Sequence, residues 1–173
     1  MANKTAGHKP STRSGFHSRA FQDGIETLED ELRLAFQWQR PSILIAVHGS
    51  KNVQAKAQNV LEKDLIKEGK KIERLLPTHK TPNLIRTICE FPGQGNIVFF
   101  VMGIENETPE STRQTYQALN LHREKLVEQH VHAVFWLTKN EAAQLPYLAP
   151  DFWAFRHRVV EFVTRGSTKK TAP

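Results

Sequence analysis

The sequence predicts an α/β fold in which helices cover both faces of a mainly parallel β-sheet. Short apolar runs alternate along the chain with longer stretches whose apolar residues recur at helical spacing. The apolar runs are continuous rather than alternating, which is typical of strands that are buried on both faces. With 173 residues, the chain is long enough for one domain with a sizeable core and short for two.

The N-terminal elements are predicted from spacing and from turn residues. Ile25, Leu28, Leu32 and Phe36 recur at helical spacing, and acidic residues cluster toward the start of this first helix. Pro41 ends the helix, and the continuous apolar run at residues 42–47 predicts the first strand. A turn at residues 48–50 then leads into a second helix.

The rest of the chain repeats this alternation. Further strands are predicted at residues 71–76, 96–102, 132–137 and 159–163. The helices are predicted at residues 52–68, 82–90, 109–129 and 140–148, with a last turn or short helix at residues 151–158. Thr108 is the expected N-cap of the long helix at 109–129, because it directly precedes a proline.

The basic character of the chain lies at its two ends. The net charge is +6, yet residues 23–164 hold 17 basic and 18 acidic residues. We therefore predict a disordered basic arm at residues 1–22, a single α/β domain at 23–164 and a disordered basic tail at 165–173. This distribution excludes a basic nucleic-acid-binding domain, and it leaves the two ends as the segments that could contact nucleic acid.

Cysteine content and hydropathy favour a cytoplasmic location. Cys89 is the single cysteine, so an intramolecular disulfide is excluded and a reducing compartment is expected. No apolar run approaches the roughly 20 residues of a membrane span, and we expect no membrane partner.

The turn after the first strand is the first place to look for phosphate chemistry, because ligands lie at the carboxyl ends of parallel strands. It contains Ser50 and Lys51, without the spaced glycines of a Walker A motif or a G-x-G-x-x-G pattern. Two interpretations stay open. The turn is either a plain glycine turn with a solvated lysine, or an anion site at the helix N-terminus around Ser50 and Asn52.

The strand at residues 96–102 lacks the acidic residue that an ATPase places at its end to hold magnesium. Glu105 comes about three residues too late for that role. We therefore predict that the protein is not an enzyme and has no catalytic residues.

Three segments toward the C-terminus carry a family resemblance. They are ALNLHRE at residues 118–124, VFWLT at 134–138 and LAPDFWAFR at 148–156. Together they resemble a bacterial AAA/STAND-like, P-loop-related domain found at the front of tetratricopeptide-repeat and signalling or defence proteins. The resemblance implies a P-loop-NTPase-like fold, here a degenerate copy without an intact Walker A motif. It also implies that Thr138, at a strand end similar to the one that senses a γ-phosphate, joins Ser50 and Lys51 as a candidate nucleotide contact.

Other clusters suggest partners rather than chemistry. Asn120, Arg123, Trp153 and Arg156 are candidate protein-binding residues, although aromatic residues at this density are also typical of a core. His122, His130 and His132 lack the further ligands that zinc needs, so no metal and no cofactor is predicted. Cys89 with His48 or His79 could form a nucleophile pair, but its apolar neighbours indicate a core residue.

The leading hypothesis is a non-catalytic, NTPase-like adaptor or regulatory module that acts through protein contacts in a bacterial signalling or defence complex. One alternative is a nucleic-acid-associated accessory protein that uses its basic ends. The other is a nucleotide-binding switch without hydrolysis.

Overall fold

The structure, a computed structural model, describes residues 13–78, 80–81, 83–105 and 108–162, with side chains from Arg19 onward. Its strands are β1 (Ser42–His48), β2 (Lys71–Leu75), β3 (Ile97–Met102), β4 (His132–Thr138) and β5 (Arg158–Phe162). Its α-helices are α1 (Arg13–Gln37), α2 (Lys51–Lys67), α3 (Leu84–Cys89), α4 (Pro109–Glu128), α5 (Lys139–Leu148) and α6 (Pro150–Phe155).

The strands form one sheet in the order β2-β3-β4-β1-β5, and every neighbouring pair is parallel. The predicted fold class is therefore confirmed. β1 lies between β4 and β5, and all seven of its residues are buried. This central position explains why its sequence is a continuous apolar run.

Successive residues of each central strand pack on opposite faces of the sheet, in two separate hydrophobic cores. Leu44, Ala46 and Trp136 point to the face covered by α1 and α2, whereas Ile45 and Phe135 belong to the core under α3 to α6. The chain thus places α2, which follows β1, and α5, which follows β4, on opposite faces of the sheet.

Gly24 allows α1 to lie directly against β5. A Cβ atom at this position would come within 2.8 Å of the Phe162 ring. Phe21, one turn earlier, packs edge-to-face on the same ring with 5.5 Å between centroids. A glycine inside a helix costs stability, and here it permits the close approach of helix and strand.

Several element boundaries differ from the predicted ones. Helix α1 begins at Arg13, so residues 13–22, predicted as part of a disordered arm, belong to a helix whose Phe21 packs on the core. The turn residue His48 ends β1, and α3 starts after the N-cap Asn83. These boundaries depend on tertiary packing, which cannot be predicted from local composition. The remaining arm residues, 1–12, and the predicted tail, 165–173, lie outside the described residues, as do residues 163 and 164 of the predicted domain.

No helix in the described ranges is long and apolar enough to cross a membrane.

A pair of carboxyl groups joins α1 to α2. Burial and the neighbouring Asp64 raise the pKa of Glu29 to about 7, and its Oε1 atom is buried without a hydrogen-bond partner. A carboxyl group whose pKa is raised in the folded state stabilises the fold at low pH. That stability is lost as the pH rises from about 4.5 through 7.

We expect Glu29→Gln, which keeps the shape without the charge, to raise the free energy of unfolding at pH 8 by about 1 kcal/mol, after allowance for solvent screening. At pH 4.5 the change should be small. Urea unfolding at both pH values measures the difference, and an equal effect at both would contradict the assignment.

Candidate functional site

The candidate site lies where β1 and β4 end side by side. The two strands pair in parallel, with His48 opposite Thr138 at the carboxyl edge. Helix α2 leaves β1 toward one face and α5 leaves β4 toward the other. Divergence of this kind opens a crevice at the strand ends, and ligands of open α/β sheets bind in such crevices.

The crevice contains a cavity of about 340 Å³. Its lining residues are His48, Gly49, Ser50, Lys51, Thr138, Lys139 and Asn140. The candidate nucleotide contacts Ser50, Lys51 and Thr138, which lie far apart in the sequence, therefore line one cavity. Asn52, the other residue of the predicted anion site, lies in the first turn of α2 and is not part of the lining.

Two helices start at this cavity, and a hydroxyl group caps each of them. The Ser50 hydroxyl accepts a hydrogen bond from the Val53 backbone N–H at 3.3 Å. The Thr138 hydroxyl accepts one from the Glu141 backbone N–H at 3.2 Å. Both helix N-termini direct the positive ends of their dipoles toward the cavity, which favours an anion there.

Each of these helices begins with a lysine. Lys51 and Lys139 are exposed and, among the described residues, neither makes an ion pair. Their charges add to the two helix dipoles, so the cavity can attract a phosphate or carboxylate group.

The acidic residues near the cavity serve structural roles. Glu141 is buried, and its carboxylate accepts hydrogen bonds from the backbone N–H groups of Thr138 at 2.7 Å and Glu105 at 3.1 Å. Glu105 in turn accepts a hydrogen bond from the Asn140 side chain at 3.0 Å. The two carboxylates therefore join the segment after β3, which contains Glu105, to the start of α5.

Sequence reasoning missed Glu141, although a signal was present. Thr138 and Glu141 are three residues apart at a helix start, and they form a reciprocal capping box. A Thr-x-x-Glu pattern before an apolar stretch predicts this arrangement.

Two buried side chains, His48 in the cavity lining and Tyr116 close to Glu105 and Glu141, remain in their neutral forms near pH 7. Burial lowers the pKa of His48, and its Nδ1 atom has no hydrogen-bond partner. Burial, together with the charges of Glu105 and Glu141, raises the pKa of the Tyr116 hydroxyl. Neither group adds a positive charge to the cavity.

The segments that follow β1 and β3 differ from those of a P-loop ATPase. Only Gly49 and Ser50 separate β1 from α2, whereas a phosphate loop needs a longer glycine-rich segment. β3 ends at Met102, and Gly103 and the buried Ile104 follow it, so no carboxylate stands at its carboxyl end.

The candidate partner residues separate into two groups. Asn120 on α4 accepts hydrogen bonds from the backbone N–H groups of Asp151 at 2.8 Å and Phe152 at 3.4 Å, which caps the start of α6. Arg123 lies 3.5 Å from the Asp151 carboxylate. These two residues therefore hold α6 on α4, and their polar groups are engaged inside the molecule.

Trp153 and Arg156 form the second group. The Arg156 guanidinium lies over the Trp153 ring, 3.6 Å from its centroid. Trp153 is half-buried, packs against the core and lines a second cavity beside β5. Trp153 is therefore partly a core residue and partly a surface residue, so each of the two interpretations is correct for part of its side chain.

Loss of the Asn120 cap should weaken the fold. We expect Asn120→Ala to lower the free energy of unfolding by about 1.5 kcal/mol, because two backbone N–H groups lose their acceptor. The exposed neighbour Leu121 provides a matched control, and Leu121→Ala should change stability by less than about 0.5 kcal/mol. Chemical denaturation measures both, and equal effects would contradict the capping role.

The remaining candidate clusters do not assemble into sites. No group of three or more His, Cys, Asp or Glu side chains within the described ranges is placed to hold a metal ion. Burial raises the pKa of the Cys89 thiol, which packs against the core, so the thiol is not activated. His79, its other candidate partner, lies outside the described residues.

Comparisons with known proteins show the fold. No protein-family profile and no curated protein sequence matches the chain. A chain in a structure of Drosophila ORC bound to GC-rich DNA and Cdc6 matches with a TM-score of 0.52 and 11% identity, over 98% of this chain and 67% of that chain. A chain in Drosophila ORC bound to AT-rich DNA and Cdc6 matches with a TM-score of 0.46 and 13% identity, over 91% of this chain and 63% of that one.

This chain thus spans about two thirds of the length of the chains that it matches. At this identity the first match shows the fold alone. The protein is an α/β domain with a parallel five-stranded sheet, and its fold is similar to that of the matched chain in the ORC structure with GC-rich DNA.

Proposed function

We propose that this protein is a non-catalytic, P-loop-NTPase-like regulatory module that acts through direct protein contacts. The resemblance to AAA/STAND-like domains suggests a bacterial signalling or defence complex as its setting. The observation that carries the proposal is a set of exposed apolar side chains on the helical layer formed by α4, α5 and α6.

Tyr147 is 84% exposed and Leu121 is 70% exposed. Leu148, which is also exposed, lies three residues before Asp151, and Leu121 directly follows Asn120, whose side chain caps Asp151. Leu121 thus adjoins in sequence a residue of the α4–α6 contact, and Tyr147 and Leu148 end α5 directly before α6. Exposed apolar side chains grouped in this way are typical of protein-binding surfaces.

The carboxyl edge of the sheet supports the non-catalytic part of the proposal. Glu141 and Glu105 are held in structural hydrogen bonds, and the end of β3 is apolar. A module of this fold without a catalytic carboxylate is suited to binding rather than turnover.

The test is affinity capture from an extract of the source organism with three immobilised proteins. We expect wild type to retain proteins that the double variant Leu121→Ser/Tyr147→Ser loses. The matched control is Trp38→Ser, since Trp38 is 67% exposed and lies in the turn that follows α1. Retention of the same proteins by all three would refute the surface.

The two lysine-led helix N-termini favour a second candidate function, the binding of a nucleotide without hydrolysis. Titration calorimetry with ATP and GTP, with and without magnesium, tests it. Binding that is lost in Lys51→Ala/Lys139→Ala supports it, and no heat at about 1 mM nucleotide ends it. The third candidate function is nucleic-acid contact through the basic ends. It depends on segments that lie mostly outside the described residues.

A further inference from the structure

β5 is an edge strand with one free side. It pairs with β1 from Leu44 opposite Arg158 to His48 opposite Phe162, and no other strand in the described part of the chain pairs with it. Alternate backbone N–H and C=O groups along its outer side are therefore available to another strand.

The two faces of β5 are covered differently. Val160 and Phe162 are buried with α1 and α2. On the other face, Val159 and Glu161 line a groove of about 340 Å³. The other lining residues are Val47, Lys139, Ala142, Ala143 and Trp153, so most of the groove is apolar.

This groove adjoins the lysine-lined cavity at the ends of β1 and β4. Lys139 lines both, and the consecutive residues Val47 and His48 line one each. A strand added beside β5 would place alternate side chains on the groove face. One of these side chains can enter the apolar groove while a neighbouring acidic group reaches Lys139, Lys51 and the two helix N-termini.

We propose that the free edge of β5 binds an extended acidic peptide segment of a partner protein as a sixth strand. The peptide backbone pairs with β5, a β-branched side chain fills the groove, and a carboxylate contacts Lys139 and Lys51. Glu161 repels a second acidic side chain within the groove, so the acidic group belongs at the lysine end. This surface is distinct from the one around Tyr147, and it does not depend on that proposal.

The test uses three fluorescein-labelled hexapeptides and the full chain. The first has alternating threonine and valine residues followed by two aspartates. In the second, lysines replace the aspartates, and in the third a proline replaces the second valine and removes a strand N–H group. Fluorescence anisotropy should show saturable binding of the first peptide and binding at least about tenfold weaker for the other two.

Two variants locate the site. Lys139→Glu, and Ala143→Glu in the groove, should each weaken the first peptide about tenfold, whereas the exposed Lys63→Glu should bind it like wild type. Hydrogen exchange should slow in residues 158–162 when the peptide binds. Equal binding of the three peptides, or no binding of the first at about 1 mM, overturns the proposal. The peptide comparison needs only wild type, so it holds even if a variant fails to fold.

Discussion

Replacing Glu141 with alanine is expected to lower the free energy of unfolding by about 3 kcal/mol. The Glu141 side chain is 4% exposed, and its carboxylate accepts hydrogen bonds from the backbone N–H groups of Thr138 and Glu105. It also completes the capping box of α5. Alanine would leave two backbone donors without their acceptor and would release the loop after β3 from the start of α5.

Guanidine unfolding of Glu141→Ala measures this loss, and Glu161→Ala is the matched control. Glu161 is exposed and makes no hydrogen bond or ion pair among the described residues, so its removal should stay within about 0.5 kcal/mol. Similar stability of the two variants would contradict the structural role of Glu141.

Acid is expected to destabilise the fold through His132. Burial, with the nearby charges of Lys70 and His130, lowers its pKa to about 4. Its ring lies against the Phe36 ring at a tilt of 38° with centroids 3.8 Å apart, and its Nδ1 atom has no hydrogen-bond partner. The folded state therefore favours neutral His132, and the stability present above pH 6.5 is lost as the pH falls toward about 4.

The full loss amounts to about 3 kcal/mol. His132→Phe keeps an aromatic ring on Phe36 and removes the titrating group. The free energy of unfolding of this variant should fall less between pH 6.5 and 4 than that of wild type. The comparison between the two proteins removes the opposite contribution of Glu29, which both share. Parallel pH profiles would show that His132 is not the group responsible.

The sheet was predictable because its central strands are buried on both faces. Residues 43–47 and 133–137 are continuous apolar runs, and all of them are buried in neighbouring parallel strands. The start of α1 was not predictable from composition. Residues 13–22 contain two arginines, two serines, a glycine and no acidic residue, and the contact that attaches their helix to the sheet is the packing of Phe21 on the distant Phe162.

The candidate site was predictable in part. Ser50 and Lys51 follow from the position of the first strand-to-helix turn, and Thr138 was added by the family resemblance. These three residues line one cavity because β1 pairs with β4. This pairing joins distant segments, so it cannot be predicted from a local sequence pattern. The groove beside β5 likewise depends on strand order and on the opposite placement of α1 and α5.

Phosphate release from magnesium ATP and magnesium GTP tests the central claim most directly. The measurement compares wild type with Lys51→Ala/Lys139→Ala, which removes both lysines at the cavity. A non-catalytic module predicts the same background rate for both proteins. Sustained turnover by wild type that the double variant lacks would contradict it.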